Sequence, residues 1–494
     1  MEFALVFALV LGALSQSVST ALVISSFELI FAETYTVDTW KTDIASAKAA
    51  GIDGFALVAV PPNCQSQDLS WQTARIKDAY TAADIENFSI VPAFDMSYSF
   101  RTENCPTGIA WNMTYMSTII SDASKQAATY RWKDTVLIIT GDSGLYADDY
   151  FSQMKSLLNR QGVNISVAPY IEKYVEAATR YGEPDKDAKF AFLDYPSIDG
   201  FYNELAWPMN VRQNLTCDVD NAFKAAMEKA GRTGPYIMAV SPWYYENRNT
   251  NNPADSRVQY SDTLWYYRWS GVINDTKPDI VNIVSWNSWN TSSYLRDVPQ
   301  ENGTSPGCVS LGEQGNYVYG MNHSAWRDMS AHYANYYKTG TEPELKDNKL
   351  IYWYRVHRKN AKCSGGQSSA TGTVQNSDFP DDSVFIWAAV RAEVEIEVFY
   401  GNAPDSQDMR PGSPKVTFTT ANQTGPQLFE LPFPQDFPLN SSDILYPHVL
   451  VYPTNIRRIA YSKYNSVPIT AECSWENFNP VVQSLGDDFN EIMG

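Results

Sequence analysis

The chain has 494 residues, with 56 acidic and 37 basic side chains and a formal net charge of −19 at pH 7. Because binding to a phosphate backbone needs clustered Lys and Arg, this balance excludes nucleic acid as an expected partner. The length exceeds that of one ordinary hydrophobic core, so two domains are predicted. Its 14 Trp and 31 Tyr suit stacking on the apolar faces of a neutral polysaccharide, although two large aromatic cores explain the same composition equally well.

The N-terminus carries the pattern of a secretory signal peptide. Residues 3–14 form an apolar run, and the small residues that follow, up to Ala21, suit cleavage, although Glu2 stands where a basic residue is usual. We therefore expect residues 1–21 to be removed and the protein to be secreted, to the extracellular space or the cell wall. No later run of eighteen apolar residues occurs, and the last eight residues are too polar for a lipid-anchor signal, so no membrane association is expected.

Cysteines and glycosylation sequons agree with secretion. Six cysteines without a Cys-x-x-Cys spacing are more typical of disulfides than of a metal site in such a chain. Fifteen connectivities are possible, and the pairing that keeps each bridge within a neighbourhood is Cys64–Cys105, Cys217–Cys308 and Cys363–Cys473. Ten Asn-x-Ser/Thr sequons indicate a glycosylated surface or wall protein.

From residue 22 to about residue 344, apolar strand-like runs alternate with helix-like runs, which is typical of βα units and a parallel sheet. Strands are predicted at residues 22–31, 52–60, 89–95, 135–140, 164–169, 200–205, 236–241 and 279–286. Helices are predicted at residues 37–50, 70–83, 115–128, 147–159, 172–181, 218–229, 262–274 and 325–337. Eight such units predict a (β/α)8 barrel. A doubly wound open sheet is the alternative, although no Gly-x-Gly-x-x-Gly turn supports a dinucleotide site.

After residue 345 the pattern changes to short strands separated by Gly, Pro, Asn and Ser, which predicts an all-β sandwich over residues 345–467. Its strands are predicted at residues 351–356, 383–389, 393–399, 415–419, 427–431, 445–451 and 457–461. Residues 468–494 are predicted to be a C-terminal tail that packs back or frays.

The segment that carries most information is 280–291, IVNIVSWNSWNT, a buried strand that opens into a polar, aromatic loop. It resembles the end of the last barrel strand in fungal glycoside hydrolase family 71, the α-1,3-glucanases or mutanases, which finishes in a Trp-Asn-Asp-x-Gly-Glu-Ser pattern. Further resemblance, in order and at barrel-compatible spacing, lies at residues 35–44, 49–57, 94–97, 199–201, 206–208, 240–244 and 262–269. The resemblance implies a barrel followed by a β-sandwich, and a substrate of α-1,3-linked glucan.

The chain departs from the family pattern where that pattern holds its carboxylates. Ser288 stands at the position of the family's Asp and Thr291 at that of its Glu, while Ser26 takes the place of a His in the first strand. A hydroxyl neither protonates a leaving group nor activates water at ordinary pH, and each acid or base contributes about 10²–10⁴-fold to the rate. The resemblance therefore implies a glucan-directed protein whose hydrolysis is impaired or lost. The alternatives are a lectin-like polysaccharide-binding protein and a structural cell-wall glycoprotein.

If the chain is active, its acids must come from other strand ends, where the loops of a barrel converge. The candidates are Asp95, Asp142, Glu204 and Asp262, with Glu246 also following the seventh strand. Each has a structural interpretation too: Asp95 and Asp142 as caps of a loop or helix, Glu204 as the partner of a neighbouring Arg or of solvent, and Asp262 as the cap of the helix that follows it.

Candidate substrate-binding residues lie near the same strand ends; they are Trp243, Trp265, Arg268, Trp286, Asn287 and Tyr294. Trp243 and Trp286 are predicted to be sugar platforms because they close strand ends beside polar residues, with a place in the core as the alternative. Arg268 is expected to pair with a barrel carboxylate. All four His residues lie beyond the eighth strand, so no metal centre, cofactor or Ser-His-Asp triad is predicted in the barrel.

Overall fold

The computed structural model describes residues 21–61, 70–97, 111–247, 255–299, 311, 314–359, 361–363, 374–404, 415–420, 425–437, 443–453, 467–473 and 476–485. Its first half is a mixed α/β region built on one curled, mostly parallel sheet. Eight parallel strands, called the first to the eighth below, run in chain order: Leu22–Glu28, Gly54–Ala59, Ser89–Asp95, Thr135–Gly141, Ile165–Pro169, Phe201–Asn203, Tyr236–Val240 and Ile280–Ile283.

Neighbours in the sequence are neighbours in this sheet. The hydrogen-bonded order is fourth, third, second, first, eighth, seventh and sixth, and the fifth strand pairs with the other side of the fourth. The first strand thus pairs with the eighth, Leu22 opposite Ile280, as well as with the second. No reversal of strand order occurs, unlike in the doubly wound alternative. The short strand Arg131–Trp132 pairs antiparallel with Thr135 and Val136 at the start of the fourth strand.

The sheet is interrupted between the fifth and sixth strands. Among the described residues no strand pairing joins them, but the backbone N–H groups of Asp199 and Gly200 donate to the Val167 carbonyl at 3.0 and 3.1 Å. Gly200 has no room for a side chain, because a Cβ there would lie 2.3 Å from the Pro235 carbonyl oxygen. A (β/α)8 barrel requires the fifth and sixth strands to pair, and that ladder of hydrogen bonds is therefore not observed among the described residues.

The observed helices of this half are Val37–Ala49, Gln72–Glu86, Met113–Ala123, Asp148–Arg160, Glu172–Tyr181, Pro184–Asp194, Asp218–Lys229, Leu264–Gly271, Gly315–Val318 and Trp326–Thr339. Short 3₁₀ turns lie at Leu29–Phe31 and Trp289–Thr291, and the π-helical turn Val272–Thr276 extends one helix. The helix Pro184–Asp194 was not predicted. Gly182, in the left-handed conformation at φ +67°, ends the preceding helix, and Pro184 begins the next two residues later.

The second half contains two four-stranded antiparallel sheets. One has the order Gln427–Pro432, Ser383–Ala389, Lys349–Arg355, Pro480–Ser484, and the other the order Val416–Thr419, Val394–Gly401, Ile444–Pro453, Ile469–Thr470. Residues 457–461, a predicted strand, lie outside the described residues. Two strands beyond residue 467 belong to these sheets, so the segment predicted to be a tail packs back in part. Small pairings join Tyr245–Glu246 to Arg257–Val258, and Lys362–Cys363 to Glu472–Cys473.

The strand Lys349–Arg355 connects two hydrophobic cores. Because successive side chains of a strand point to opposite faces, Ile351 and Trp353 lie in the core of the first half, whereas Tyr352 and Tyr354 lie in a second core shared by both four-stranded sheets. The Trp353 Nε1–H also donates to the Asp262 carbonyl at 2.8 Å. The two halves therefore share an apolar interface.

One of the favoured disulfides is present, between Cys363 and Cys473. Cys64, Cys105 and Cys308, which complete the other two predicted bridges, lie outside the described residues, and Cys217 is buried. Within the described ranges, no helix is long and apolar enough to span a bilayer.

Candidate active site

A cavity of about 190 Å³ lies at the carboxyl ends of the parallel strands, where side chains from several strands converge. This strand-end cavity is lined by Ser26, Glu28, Ala56, Val58, Ala93, Phe94, Asp95, Ser97, Ile139, Gly141, Asp142, Tyr202, Glu204, Asn282 and Val284. Three acids predicted from the sequence, Asp95, Asp142 and Glu204, are thus brought together. A fourth, Glu28, joins them.

Glu204 follows the sixth strand and faces the other acids of the cavity. Burial, and then the negative charges of Asp95, Glu28 and Asp142, raise its pKa well above the usual range of a glutamate. Its carboxyl packs over Gly141, where a Cβ would lie 3.0 Å from Oε2. A carboxyl held protonated in this way can donate a proton near neutral pH.

Glu28 ends the first strand, and the sequence prediction missed it. Burial, with a contribution from the Asp95 charge, raises the pKa of Glu28 to about 8. Its backbone is fixed by Asn287: the Glu28 N–H donates to Asn287 Oδ1 at 2.7 Å, and Asn287 Nδ2 donates to the Glu28 carbonyl at 3.1 Å. The signal that identifies Glu28 is the same one that identifies Asp95, an acid on the last residue of a parallel strand.

Asp95 ends the third strand and is oriented by its own loop. The Ser97 N–H and hydroxyl both donate to Asp95 Oδ1, at 2.8 and 2.6 Å, and the Trp111 Nε1–H donates to the Asp95 carbonyl at 2.6 Å. The two Ser97 bonds orient the side chain, and the Trp111 bond holds the backbone of the same residue.

Asp142 follows the fourth strand in a left-handed backbone conformation, at φ +42°. This is uncommon for a residue with a side chain, and such conformations cluster at functional sites. A hydrogen bond with Asp142, together with burial, raises the pKa of Glu172 to about 8. Glu172 begins the helix that follows the fifth strand. It adds a fifth acid beside Asp142.

The floor of the cavity is a buried hydrogen-bonded group of Ser26, Asn282 and Tyr202. Asn282 Nδ2 donates to Ser26 Oγ at 2.9 Å and to Tyr202 Oη at 2.8 Å. Asn282 Oδ1 has no partner among the described residues. Ser26, at the position where the family pattern has a His, therefore supports the floor amide.

Ser288 and Thr291 lie in the loop after the eighth strand and are not among the residues that line the cavity. They contact each other: Thr291 Oγ1 donates to Ser288 Oγ at 3.0 Å, and Ser288 Oγ donates to the exposed Asn290 at 2.7 Å. Thr291 also hydrogen-bonds Ser293 at 2.9 Å. Ser288 and Thr291 thus belong to a local network of hydroxyl groups and are separate from the acids that line the cavity.

Asp262 and Arg268, two of the predicted site residues, lie away from the cavity. Asp262 is buried at the interface with the second half, where Oδ2 accepts from the Asp381 N–H at 2.7 Å, and it makes no cap to the helix after it. Burial raises its pKa to about 7. Arg268 is fully buried and pairs, as expected, with a carboxylate of the first half: Asp220, on the helix Asp218–Lys229, lies 3.0 Å away.

The predicted aromatic platforms are core residues. Trp286 and Trp265 are 0% and 1% exposed, and Tyr294 is 0% exposed, so none offers an open face to a sugar. Trp243 is 1% exposed and donates its Nε1–H to the Phe478 carbonyl at 2.9 Å. Of the substrate-binding candidates, Asn287 is the one that reaches the cavity residues, through its bonds to Glu28.

Other features bear on what the site can hold. Glu246, the remaining candidate acid, pairs with Arg257 at 2.9 Å outside the cavity. Across the described ranges, no group of three or more His, Cys, Asp or Glu side chains is arranged to hold a metal ion. The chemistry that this arrangement offers is proton donation by a buried carboxyl whose pKa is raised, Glu204, beside other carboxyl groups.

Comparison with known proteins identifies the chain's relatives. It is 27% identical to a glucan endo-1,3-alpha-glucosidase of Schizosaccharomyces pombe over 396 residues, which cover 79% of this chain and 83% of that protein. It is 26% identical to a mutanase of Penicillium rubens over 418 residues, 83% of this chain and 81% of that protein. A GH99 endo-alpha-mannosidase of Bacteroides thetaiotaomicron aligns with a TM-score of 0.43 at 11% identity, covering 64% of this chain and 97% of that chain. The model of glycosyl hydrolase family 71 matches residues 19–435, and the chain therefore belongs to that family.

Proposed function

We propose that this protein is a secreted glycoside hydrolase that acts on α-1,3-glucan, with its acid–base pair drawn from the strand-end cavity. The single observation that carries the proposal is the convergence of Glu28, Asp95, Asp142 and Glu204 on one cavity. The names of the two relatives, an endo-1,3-alpha-glucosidase and a mutanase, support the substrate class. We further infer that the curled sheet is a (β/α)8 barrel and that the two antiparallel sheets form a sandwich, since they share one core.

The proposed chemistry divides two roles between carboxyls in different environments. Glu204, which burial and its acidic neighbours keep protonated, gives its proton to the glycosidic oxygen as the bond to the anomeric carbon breaks. Asp95, oriented by Ser97, serves as the carboxylate that removes a proton from water or attacks that carbon. The raised pKa of one acid beside another is the arrangement that separates such roles.

A second candidate function is glucan binding without hydrolysis. It is favoured by one observation: both positions at which the family pattern has carboxylates, Ser288 and Thr291, carry hydroxyls. If those positions alone supplied the catalytic groups, each missing acid or base would lower the rate by about 10²–10⁴-fold. The chain would then retain a site for a sugar and no means of cleaving it.

Insoluble α-1,3-glucan separates the two functions. The purified protein is incubated with it, and both the fraction of protein that sediments and the released reducing ends are measured. The first function predicts release that falls by about 10²–10⁴-fold in Glu204→Gln and stays unchanged in the matched control Ser288→Ala. The hydrolase proposal would be overturned if the natural protein sediments with the glucan but releases no reducing ends. Glucan binding without hydrolysis would then be supported if the double substitution Ser288→Asp and Thr291→Glu gains release.

Secretion has its own test. Residues 1–21 have the pattern of a cleaved signal. If the protein is expressed in a eukaryotic host, we expect it in the medium with an N-terminus near residue 22 and with a mass that falls on enzymatic deglycosylation. Retention in the cell with the first residues intact would contradict secretion.

A further inference from the structure

We propose that Trp207 and Arg257 form a second sugar-binding position beside the strand-end cavity, where they hold the glucosyl unit next to the one inside the cavity. This inference rests on the proposed function, because it extends the same site to a further unit of the same neutral glucan. It follows from the size of the cavity, from a partly exposed tryptophan that follows a cavity acid, and from a guanidinium group whose terminal donors are unused.

The strand-end cavity has room for about one sugar ring. Its volume of about 190 Å³ lies below the range of roughly 300–1,000 Å³ typical of sites that enclose drug-sized molecules. A glucan is a chain of linked rings, so the unit attached to the bound one leaves the cavity and contacts residues at its edge. We therefore expect an apolar surface with a few hydrogen-bonding groups beside the cavity.

Trp207 offers such a surface. It follows the cavity acid Glu204 by three residues, in the loop after the sixth strand. The predicted platforms Trp243 and Trp286 are at most 1% exposed, whereas Trp207 is partly exposed. An indole ring has a large apolar face, and a pyranose ring presents an apolar face of C–H groups that can pack against it. Trp207 can therefore act as the platform that the buried tryptophans cannot provide.

The neighbour of Trp207 comes from the adjacent loop at the same edge of the sheet. The centroids of the Trp207 and Tyr244 rings lie 4.5 Å apart. Tyr244 follows Val240, the last residue of the seventh strand, by four residues. The Val240 carbonyl accepts from the N–H of Val284, a cavity residue, at 2.8 Å. Because Tyr244 is only 2% exposed, Trp207 is the more accessible of the two stacked rings.

Arg257 completes this aromatic cluster. Its guanidinium carbon lies 5.5 Å from the centroid of the Tyr244 ring, and its Nε–H donates to the Tyr244 hydroxyl at 2.8 Å and to Glu246 Oε2 at 2.9 Å. The Tyr244 hydroxyl donates to the same Glu246 oxygen at 2.7 Å. The three side chains thus hold one another in place, and the plane of the guanidinium is fixed before any ligand binds.

The free end of Arg257 supplies hydrogen-bond donors. Both of its contacts use Nε, and its two terminal amino groups have no hydrogen-bond partner among the described residues. The side chain is 38% exposed. The terminal amino groups carry four N–H donors in a fixed fork, and sugar hydroxyl oxygens can accept from them. Because Glu246 offsets the charge of Arg257, the position suits a neutral sugar better than an anion.

The test measures how much a second glucosyl unit adds to binding. Methyl α-glucoside and the α-1,3-linked disaccharide and trisaccharide of glucose are titrated into the full-length Glu204→Gln protein, which should leave them uncleaved, and affinities are measured by ligand-observed NMR. We expect the disaccharide to bind at least about tenfold more tightly than the monosaccharide, the effect of one ring stacked on an aromatic side chain with its hydrogen bonds.

Variants in the same Glu204→Gln background assign this gain. Trp207→Ala should reduce it to less than about threefold and leave the affinity for methyl α-glucoside within about twofold. Trp207→Leu keeps apolar packing against Tyr244 and should lose the gain as well, so it decides the question if Trp207→Ala does not fold. Arg257→Lys keeps the charge without the fork and should reduce the gain several-fold.

The matched control is Trp132→Ala. Trp132 is also partly exposed, but it lies at the start of the fourth strand, at the opposite end of the sheet, where its Nε1–H donates to the Thr233 carbonyl at 2.7 Å. Its replacement should leave the gain from the second unit unchanged.

The inference would be overturned if the disaccharide binds no more tightly than the monosaccharide, or if folded Trp207→Leu keeps the full gain. The proposed function fails by a different result, since hydrolysis is measured by the reducing ends that the natural protein releases from insoluble glucan. A gain that depends on Trp207, found together with no release, would support the second position and contradict the hydrolase.

Discussion

Asn287 and Glu28 hold each other across two strand ends by a reciprocal pair of hydrogen bonds. The Glu28 N–H donates to Asn287 Oδ1 at 2.7 Å, and Asn287 Nδ2 donates to the Glu28 carbonyl at 3.1 Å. The loop after the eighth strand is thus joined to the end of the first strand, 259 residues away in the chain. An asparagine that the sequence suggested as a sugar ligand therefore fixes the backbone of a cavity acid.

Replacing Asn287 tests this positioning role. Asn287→Ala removes the acceptor of the Glu28 N–H, so we expect a loss of about 1–3 kcal/mol in the free energy of unfolding. We also expect a fall in kcat larger than any rise in KM, because Glu28 is displaced while the other acids remain. Urea unfolding and glucan hydrolysis measure the two effects. The control is Asn290→Ala at an exposed neighbour; an equal effect there would contradict the role of Asn287.

The pKa of Glu28 predicts how stability changes with pH. Since its pKa is about 8 in the folded chain and 4.5 without the fold, the folded state binds the proton more tightly. The contribution of the Glu28 side chain to the free energy of unfolding is fully present below about pH 4.5 and is lost as the pH rises towards about 8. Glu28→Gln should therefore raise Tm relative to the natural protein at about pH 9, with little difference at about pH 4. A Tm difference that is larger at pH 4 would show the opposite sign and contradict the assignment.

The buried Arg268–Asp220 pair predicts that replacing Arg268 lowers the stability of the protein without a specific effect on substrate binding. Both side chains are buried, and Arg268 also donates to the Ala239 carbonyl at 2.8 Å. Removing one partner leaves an uncompensated buried charge, so Arg268→Met should cost about 3–5 kcal/mol of stability. Denaturant unfolding measures this. Lys125→Met, in an exposed pair with Asp122, is the matched control and should cost at most about 1 kcal/mol.

If Arg268 instead bound substrate, its replacement would raise KM with little change in stability. We expect folded Arg268→Met, measured below its unfolding temperature, to have a KM for soluble α-1,3-glucan oligosaccharides within about twofold of that of the natural protein. Loss of a charged contact to the substrate would raise KM by more than about twofold.

The side chains of Trp286 and Trp243 were predicted to stack on sugars, and substitution can test this against packing in the core. Both are essentially buried, and the Trp286 ring lies 5.6 Å from that of Phe55, centroid to centroid. Trp286→Ala should therefore lower the free energy of unfolding by about 3–5 kcal/mol. Trp286→Phe, which keeps most of the packing, should recover much of that loss. A Trp286→Ala protein of unchanged stability that no longer sediments with glucan would instead identify a platform.

The sequence predicted much of the fold of the first half because burial on both faces leaves a strong local pattern. The strand at Ser89–Asp95 and the helix at Glu172–Tyr181 have the predicted bounds. The helix Pro184–Asp194 was missed, because a single helix, at residues 172–181, was predicted between the fifth and sixth strands; Gly182 ends that helix and Pro184 begins a second one. The Cys363–Cys473 bridge was among the favoured pairings and is present.

The site was partly predictable for the same reason. Asp95, Asp142 and Glu204 follow strands whose ends are clear in the sequence, and they meet at the cavity. Glu28 was overlooked because the first strand was predicted to continue to residue 31, which placed Glu28 in its middle; the chain instead turns into the 3₁₀ segment Leu29–Phe31. A single apolar helical turn that follows a strand cannot be told from a continuation of the strand, because three residues are too few for the hydrophobic periodicity to separate a helix from a strand.

Sequence alone determined the family resemblance, the order of strands and helices, the acidic charge and most of the acids that meet at the strand ends, because these depend on local pattern and on which residues are present. Only the tertiary structure decided which side chains are accessible. Asp262 and Trp243 both lie in the segment after the seventh strand, where site residues are expected, yet they are covered by Asp381 and Phe478, which lie more than 100 residues further along the chain. Burial is set by such distant contacts, and no local pattern encodes them.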